Sequence, residues 1–448
     1  KEYRRQRQMC IRDRAKGTYP EFQEGLGLLA SNVDAEGRQA TDDLAVSIDL
    51  LQTRKEPVHW RQAIGLLGIL AERRTLTVDE RFTLARMEAQ LGRWEEARKV
   101  LLDLALTEDA TPAQRGFLVD GLIDHGDLFS ARQWMERSRV GDKDSPTLRR
   151  LELKLAVAEG DPVVIQRVMK RVLPDERVRK ENIDRLLAGA KIAEEFGFIE
   201  PAARFYEEYA SLAALGGIDR AAFLGRQGKT SDAINLLSIL IGDFPMPRIL
   251  ATLKGVLNQS PGRLEDGVAG KVAAIVDRGR RENPGNLEVE FWAASIEERL
   301  GSPEESEAIY RRLLASEGLG EEPAARVAAN LAWLLTRQET ASEAADLLDR
   351  AIRVLGPDPE LLDTRAMVRL SLGQPIRALE DIEAAAIQPT PLRSLHLAVI
   401  QAANGHLPEA RATLEAAKAD GLGNQWLSTA DQERLAEIEA ILAQPAAG

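Results

Sequence analysis

Apolar residues along this chain recur at the spacing of one helical face, and a glycine interrupts them at nearly regular intervals. Trp94, Ala97, Leu101 and Leu104 lie three or four residues apart, a stripe that turns with the 3.6-residue period of an α-helix. Trp60, Ala63, Leu67 and Leu70 repeat it 34 residues upstream, and Leu407, Ala410, Leu414 and Ala417 repeat it near the far end. A glycine followed five residues later by a small residue sets the frame: Gly92/Ala97, Gly126/Ala131, Gly197/Ala202, Gly228/Ala233, Gly373/Ala378 and Gly405/Ala410. Gly301/Ser306 fits with serine, Gly160/Ile165 and Gly267/Val272 keep only the glycine, and Glu339/Ala344 keeps only the alanine. Four of the nine steps between successive markers equal 34 and the others scatter around it, so the pattern is a repeat.

A second alanine lies twelve residues before the small position: Ala85, Ala190, Ala221, Ala294, Ala332, Ala366 and Ala398 precede Ala97, Ala202, Ala233, Ser306, Ala344, Ala378 and Ala410. Helices that cross closely need small side chains at the contact. Paired small residues on either side of a turn glycine therefore predict an antiparallel helical hairpin. The glycine ends the first helix, where a left-handed residue is wanted and glycine adopts it at least cost. Pro245, Pro284, Pro357 and Pro389 fall near unit boundaries.

About eleven such units are expected from roughly residue 41 to 420. The expected organisation is an arm over 1–18, an N-terminal array over 19–247, an irregular repeat with a bend over 248–285, a C-terminal array over 286–420, and a capping helix and tail over 421–448. In the irregular stretch Ser260-Pro261-Gly262 should break a first helix. The final stripe of Leu435, Ile438 and Leu442 should cover apolar surface that an open-ended array exposes.

A 34-residue hairpin with a turn glycine, an aromatic two residues on and a small residue three further resembles the tetratricopeptide repeat. The best units are Leu84–Leu104, Asn330–Ala351 and Leu397–Ala417. Asn330-Leu-Ala-Trp-Leu-Leu335 and Leu361-Leu-Asp-Thr-Arg-Ala366 are similar to the C-terminal repeats of large planctomycete-type bacterial proteins of that family. The resemblance implies an all-α, right-handed superhelical solenoid whose first helices line a concave groove that binds peptides or protein surfaces. It also implies that many such bacterial chains are anchored at a membrane by an upstream segment. The family's chaperone-tail binders carry Lys, Asn and Arg in the groove. Only Arg326 and Asn330 match that style here, so that specificity is not expected.

Composition narrows the function. The chain is 44% hydrophobic and 29% charged with only 5% aromatics, a folded helix-rich class. Its net charge is −12. The first sixteen residues carry +5, which leaves −17 for the rest and argues against a nucleic-acid partner. Met9-Cys10-Ile11-Arg12-Asp13-Arg14 reads as the in-frame end of a transposon sequencing adapter, so neither the lone Cys10 nor the basic arm carries a functional argument. The chain opens on Lys1, and a continuation upstream is expected. No apolar run reaches the ~18 residues of a membrane span.

No catalytic or phosphate-binding motif appears, and His59, His125, His396 and His406 are not spaced as metal ligands. No cofactor is expected. Glu95-Glu96, Glu304-Glu305 and Glu321-Glu322 read as solvated faces, and Arg278, Arg280 and Arg281 as cations suited to a helix end. The expected ligand groove lies between residues 320 and 400, with Arg326, Asn330, Trp333, Asp363, Met367 and His396 on the concave side. The expectation is a non-enzymatic interaction scaffold for a protein or peptide, cytoplasmic or tethered through an N-terminal segment. The alternatives are a targeting arm of a larger enzyme, or part of an envelope assembly for polysaccharide export or pili. The sequence leaves the oligomeric state open.

Overall fold

The computed structural model describes residues 11, 17–33, 36–138, 146–172, 183–262, 264–336 and 339–443. The expected arm over 1–18, with Cys10, lies almost wholly outside them. Among the described residues, α-helices are the only regular elements besides one short 3₁₀ turn, Leu422–Asn424, and two isolated bridges. In chain order they are α1 (Tyr19–Ala30), α2 (Thr41–Leu51), α3 (Pro57–Arg73), α4 (Val78–Gln90), α5 (Trp94–Ala105), α6 (Pro112–Asp124), α7 (Leu128–Ser138) and α8 (Pro146–Glu159). Then come α9 (Pro162–Val172), α10 (Ile183–Glu195), α11 (Ile199–Leu212), α12 (Gly216–Arg226), α13 (Thr230–Leu240), α14 (Met246–Asn258), α15 (Asp266–Glu282) and α16 (Leu287–Leu300). The last are α17 (Pro303–Leu314), α18 (Glu321–Leu334), α19 (Ala341–Leu355), α20 (Pro359–Ser371), α21 (Pro375–Ala385), α22 (Pro391–Ala403), α23 (Leu407–Ala419) and α24 (Thr429–Ala443).

Local chemistry sets many of the boundaries. Thr77 and Thr111 close capping boxes with Glu80 and Gln114, and the Asn286 side chain accepts from the first amides of α16. Eight of the nine marker glycines have φ between 70° and 90°. Any other L-residue there would cost about 1–2 kcal/mol. Gly267 is the exception: it lies in the first turn of α15, with its turn displaced upstream to residues 259–265.

Consecutive helices pair as antiparallel hairpins, most extensively α4 with α5, α10 with α11, α16 with α17, α18 with α19, α20 with α21, and α22 with α23. The paired small positions within each unit have no exposed surface: Ala85/Ala97, Ala190/Ala202, Ala294/Ser306, Ala332/Ala344, Ala366/Ala378 and Ala398/Ala410 are all at 0%, and Ala221 and Ala233 are each at 0% as well. A methyl-sized side chain is what lets two helix axes approach this closely.

The chain divides into two compact units. One runs from Trp60 to Phe223. It holds two separate apolar clusters, one of Ala85, Trp94, Ala97, Leu118, Ala131 and Trp134 and another of Leu186, Ala190, Ala202, Phe205 and Tyr206. Trp94 lies flat against His125, with ring centroids 4.6 Å apart, and presses on the bare backbone of Gly121.

The other unit combines the described residues up to His59 with those from Leu224 onward. Here α1 packs against α19, and Arg54 donates to the Leu355 carbonyl (3.2 Å). The turn glycine Gly356 lies so close to Tyr19 and Arg54 that a Cβ would come within 2.8 Å of both. α14 packs more extensively against α16 than against its sequence neighbour α15. The loop after α14 is held by Arg299, whose guanidinium donates to the carbonyls of Leu257 (3.2 Å), Ser260 (3.0 Å) and Gly262 (2.9 Å). This is a cation satisfying the orphan carbonyls of a helix end. At the far end Leu422, Leu427, Ile438 and Leu442 join the core of α22 and α23, with Leu435 partly buried beside them. Leu407 departs from the expected stripe: as the first residue of α23 it overhangs the packed turns and is 43% exposed.

Candidate functional site

The unit that carries α16 to α20 holds a cleft of about 950 Å³. Its walls come mainly from first helices, with Val354 and Leu355 at the end of α19 between them. α16 supplies Leu287, Phe291 and Trp292, α18 supplies Arg326 and Asn330, and α20 supplies Leu361. Tyr19 and Arg54 close one end. Phe291 and Trp292 stand edge to face, with centroids 5.1 Å apart, and Phe291 tilts toward Tyr310 at 6.1 Å. Tyr310 is buried in the hairpin core and receives a hydrogen bond from the Asn330 side-chain amide (3.2 Å). That bond fixes the amide and leaves its carbonyl oxygen available.

Arg326 and Asn330 are four residues apart and so share one helix face. Arg326 is exposed, and no described residue pairs with it. Arg54 at the other end is bound to Glu56 (2.6 Å) and to the Leu355 carbonyl. The cleft therefore offers aromatic edges, one open guanidinium, one anchored amide and, around them, the carboxylates of Glu288, Glu322, Asp358 and Glu360.

The structure separates the six expected groove residues. Arg326 and Asn330 line the cleft, whereas Trp333, Asp363, Met367 and His396 do not. Met367 is buried with Leu362, Ala366, Ala378 and Ile400, and Trp333 packs against that group. Trp333 also donates its indole N–H to Glu298. His396 is 1% exposed, with Asp363 on Nδ1 (2.7 Å) and Asp431 on Nε2 (3.1 Å). Burial alone would lower its pKa, but the two carboxylates outweigh this and hold it at about 9. Asp431 is held below its ordinary value: burial opposes this, but the hydrogen bonds from His396 and Ser428 and the nearby Arg434 prevail. The stretch 425–434 covers Trp333 and His396. Arg434 lies over the Trp333 ring at 5.7 Å and pairs with Asp431 at 2.8 Å.

Other charged groups have structural partners. Glu95-Glu96, Glu304-Glu305 and Glu321-Glu322 each occupy the first turn of a helix, where acids complement the dipole. Arg278 pairs with Glu282 (2.8 Å) and Arg280 with Glu290 (2.9 Å). Tyr19, Arg54, Lys254, Glu298, Asp431 and Arg434 shape these surfaces yet carry no signal in the repeat frame. Tyr19 and Arg54 meet the cleft from more than 230 residues away in sequence. Among the described residues no group of three His, Cys, Asp or Glu side chains is arranged to hold a metal, and no helix is long and apolar enough to cross a membrane.

Residues 293–359, which contain Arg326 and Asn330, match the tetratricopeptide repeat family. This stretch is a tetratricopeptide repeat array. It spans most of α16 to α19 and reaches the start of α20. No curated protein sequence matches the chain. Among solved structures the chain is similar to yeast Tom70, at 12% identity and TM-score 0.43, over 97% of this chain and 95% of that one. A tetratricopeptide repeat protein from Parabacteroides merdae is 18% identical at TM-score 0.40, over 58% of this chain and 99% of that one. The Cut9–Hcn1 assembly of the APC/C gives 14% identity and TM-score 0.39, over 90% and 84%. At these TM-scores the likenesses carry no argument. The assignment rests on the family match and on the helical hairpins of the described residues.

Proposed function

We propose that this chain is a non-catalytic scaffold that binds a peptide or protein partner, and that the partner docks in the cleft between α16, α18 and α20. The observation that carries the reading is the open guanidinium of Arg326 beside anchored Asn330, both within the matched tetratricopeptide repeat stretch, facing Phe291 and Trp292 across about 950 Å³. The aromatic edges would cover apolar side chains of the partner. Arg326 would pair with a carboxylate or a main-chain carbonyl, and the Asn330 carbonyl oxygen would accept a main-chain N–H. Removing an aromatic or arginine anchor of such an interface costs about 2 kcal/mol or more, which is over tenfold in affinity.

The test is selection from a displayed peptide library on the intact chain, followed by fluorescence anisotropy with the enriched peptides. The reading requires a saturating peptide that weakens at least tenfold with Arg326→Ala and with Phe291→Ala, and is unaffected by Glu383→Ala on exposed α21. Enriched peptides indifferent to both cleft substitutions would overturn it.

A further inference from the structure

A second surface of the same unit is already occupied, and its occupant is the chain's own C-terminal stretch. First helices α14, α16, α18, α20 and α22 contribute Lys254, Arg299, Trp333, Asp363 and His396. Residues 425–434 touch four of these helices directly and reach Asp363 through His396. The Trp426 amide donates to the Asn258 carbonyl (3.0 Å). Its ring lies 5.1 Å from the Lys254 ammonium and 5.3 Å from the Arg299 guanidinium. Asp431 takes the Nε2 side of His396 (3.1 Å), and Arg434 covers Trp333 and donates to the Thr336 hydroxyl (3.3 Å).

Each group beneath is held by partners that belong to the surface itself. Lys254 donates to the Ser295 carbonyl (2.7 Å), Arg299 to its three loop carbonyls, and His396 to Asp363. What these groups show to residues 425–434 is what remains: two cationic faces suited to an aromatic ring and one imidazole edge suited to a carboxylate. These polar groups are thus anchored without the occupant, which adds the apolar cover of Leu427, Ile438 and Leu442 over α22 and α23. The occupant is held differently from the hairpins. α24 buries only Asp431, Ile438 and Leu442, and no small-residue pair locks it to a neighbour.

We propose that residues 425–443 are a self-ligand of a groove across these first helices, and that the groove's partner in trans is a peptide with an aromatic residue in a non-helical lead-in and, five positions on, a carboxylate in the first turn of the helix that follows, the arrangement Trp426 and Asp431 have here. The partner and the C-terminal stretch compete, so the chain alternates between a self-occupied and a partner-bound form. The intramolecular occupant has the advantage of an effective concentration in the millimolar range, which keeps weak ligands out. This groove is distinct from the open cleft, and its test does not depend on that reading.

The experiment uses a fluorescein-labelled synthetic peptide of residues 421–443 with the full-length chain. The wild-type chain should bind it weakly, and the variant Trp426→Ala/Asp431→Asn, which weakens only the resident copy, at least tenfold more tightly. Excess unlabelled peptide carrying the same two substitutions should fail to compete. Native-state hydrogen exchange of the wild-type chain decides the matter if the variant does not fold: α24 amides should open at least tenfold more often than those of α22. Amides of α24 that exchange only together with those of α22, or a folded variant that binds no peptide, would overturn the proposal.

Discussion

His396 supplies a pH dependence that can be worked out from its neighbours. It is enclosed by Asp363 on α20, by Asp431 and Arg434 on α24, and by Arg393 on its own helix, which lies 3.6 Å from Asp363. Trp333 on α18 closes one side, with centroids 5.6 Å apart. The folded imidazole titrates at about 9, against an ordinary 6.5. Because the folded value is raised, the stability it contributes is fully present below pH 6.5 and is lost as pH rises through 9. Asp431 is shifted the opposite way: its contribution is present above the ordinary carboxylate value and is lost only in stronger acid, so it stays constant across this window. At 1.36 kcal/mol per pKa unit, the His396 contribution is about 3 kcal/mol. NMR titration of the ring protons should give one of the four histidines a midpoint near 9, absent in His396→Gln. Urea unfolding of the unit should lose about 3 kcal/mol between pH 6 and pH 10 in the wild type and much less in His396→Gln. A His396 midpoint below 6.5 would mean that burial outweighs the carboxylates, and the reasoning would fail.

Two packing predictions follow from the hairpins. A Cβ on Gly121 would lie 2.2 Å from the Trp94 ring, so Gly121→Ala should force that indole off His125 and destabilise the chain by about 1–3 kcal/mol, read as a lower urea midpoint. Ala332→Leu should cost about 1–3 kcal/mol or more through overpacking of α18 on α19, whereas Glu383→Leu on an exposed face should stay within about 0.5 kcal/mol. Equal effects from the last two would show that the small residue is not what sets the helix approach.

The hairpins were legible because their contacts are local. Ala332 and Ala344 lie on either side of a single turn, only twelve residues apart in sequence, so a periodic sequence records both sides of the contact. Gly267 misled because its spacing fits the frame while its turn is set from elsewhere, by Arg299 reaching the 257–262 carbonyls from the following hairpin. The site was legible in part for the same reason. Arg326 and Asn330 share one helix face and line the cleft together. Met367 sits in a core with Leu362 and Ile400, and His396 is covered by Asp431, 35 residues on. No periodicity tells a repeat where the chain's own end will lie. The approach of Tyr19 and Arg54 to Gly356 is equally silent, since α1 and α2 lie outside the regular part of the frame.

The most direct test of partner binding at the inner face is hydrogen-exchange footprinting of the intact chain, saturated with the tightest selected peptide. Protection concentrated on 287–292 and 326–330, with the exposed faces of α17 and α19 unchanged, is the predicted result. Protection centred on those second helices, or spread evenly along the hairpins, would contradict it.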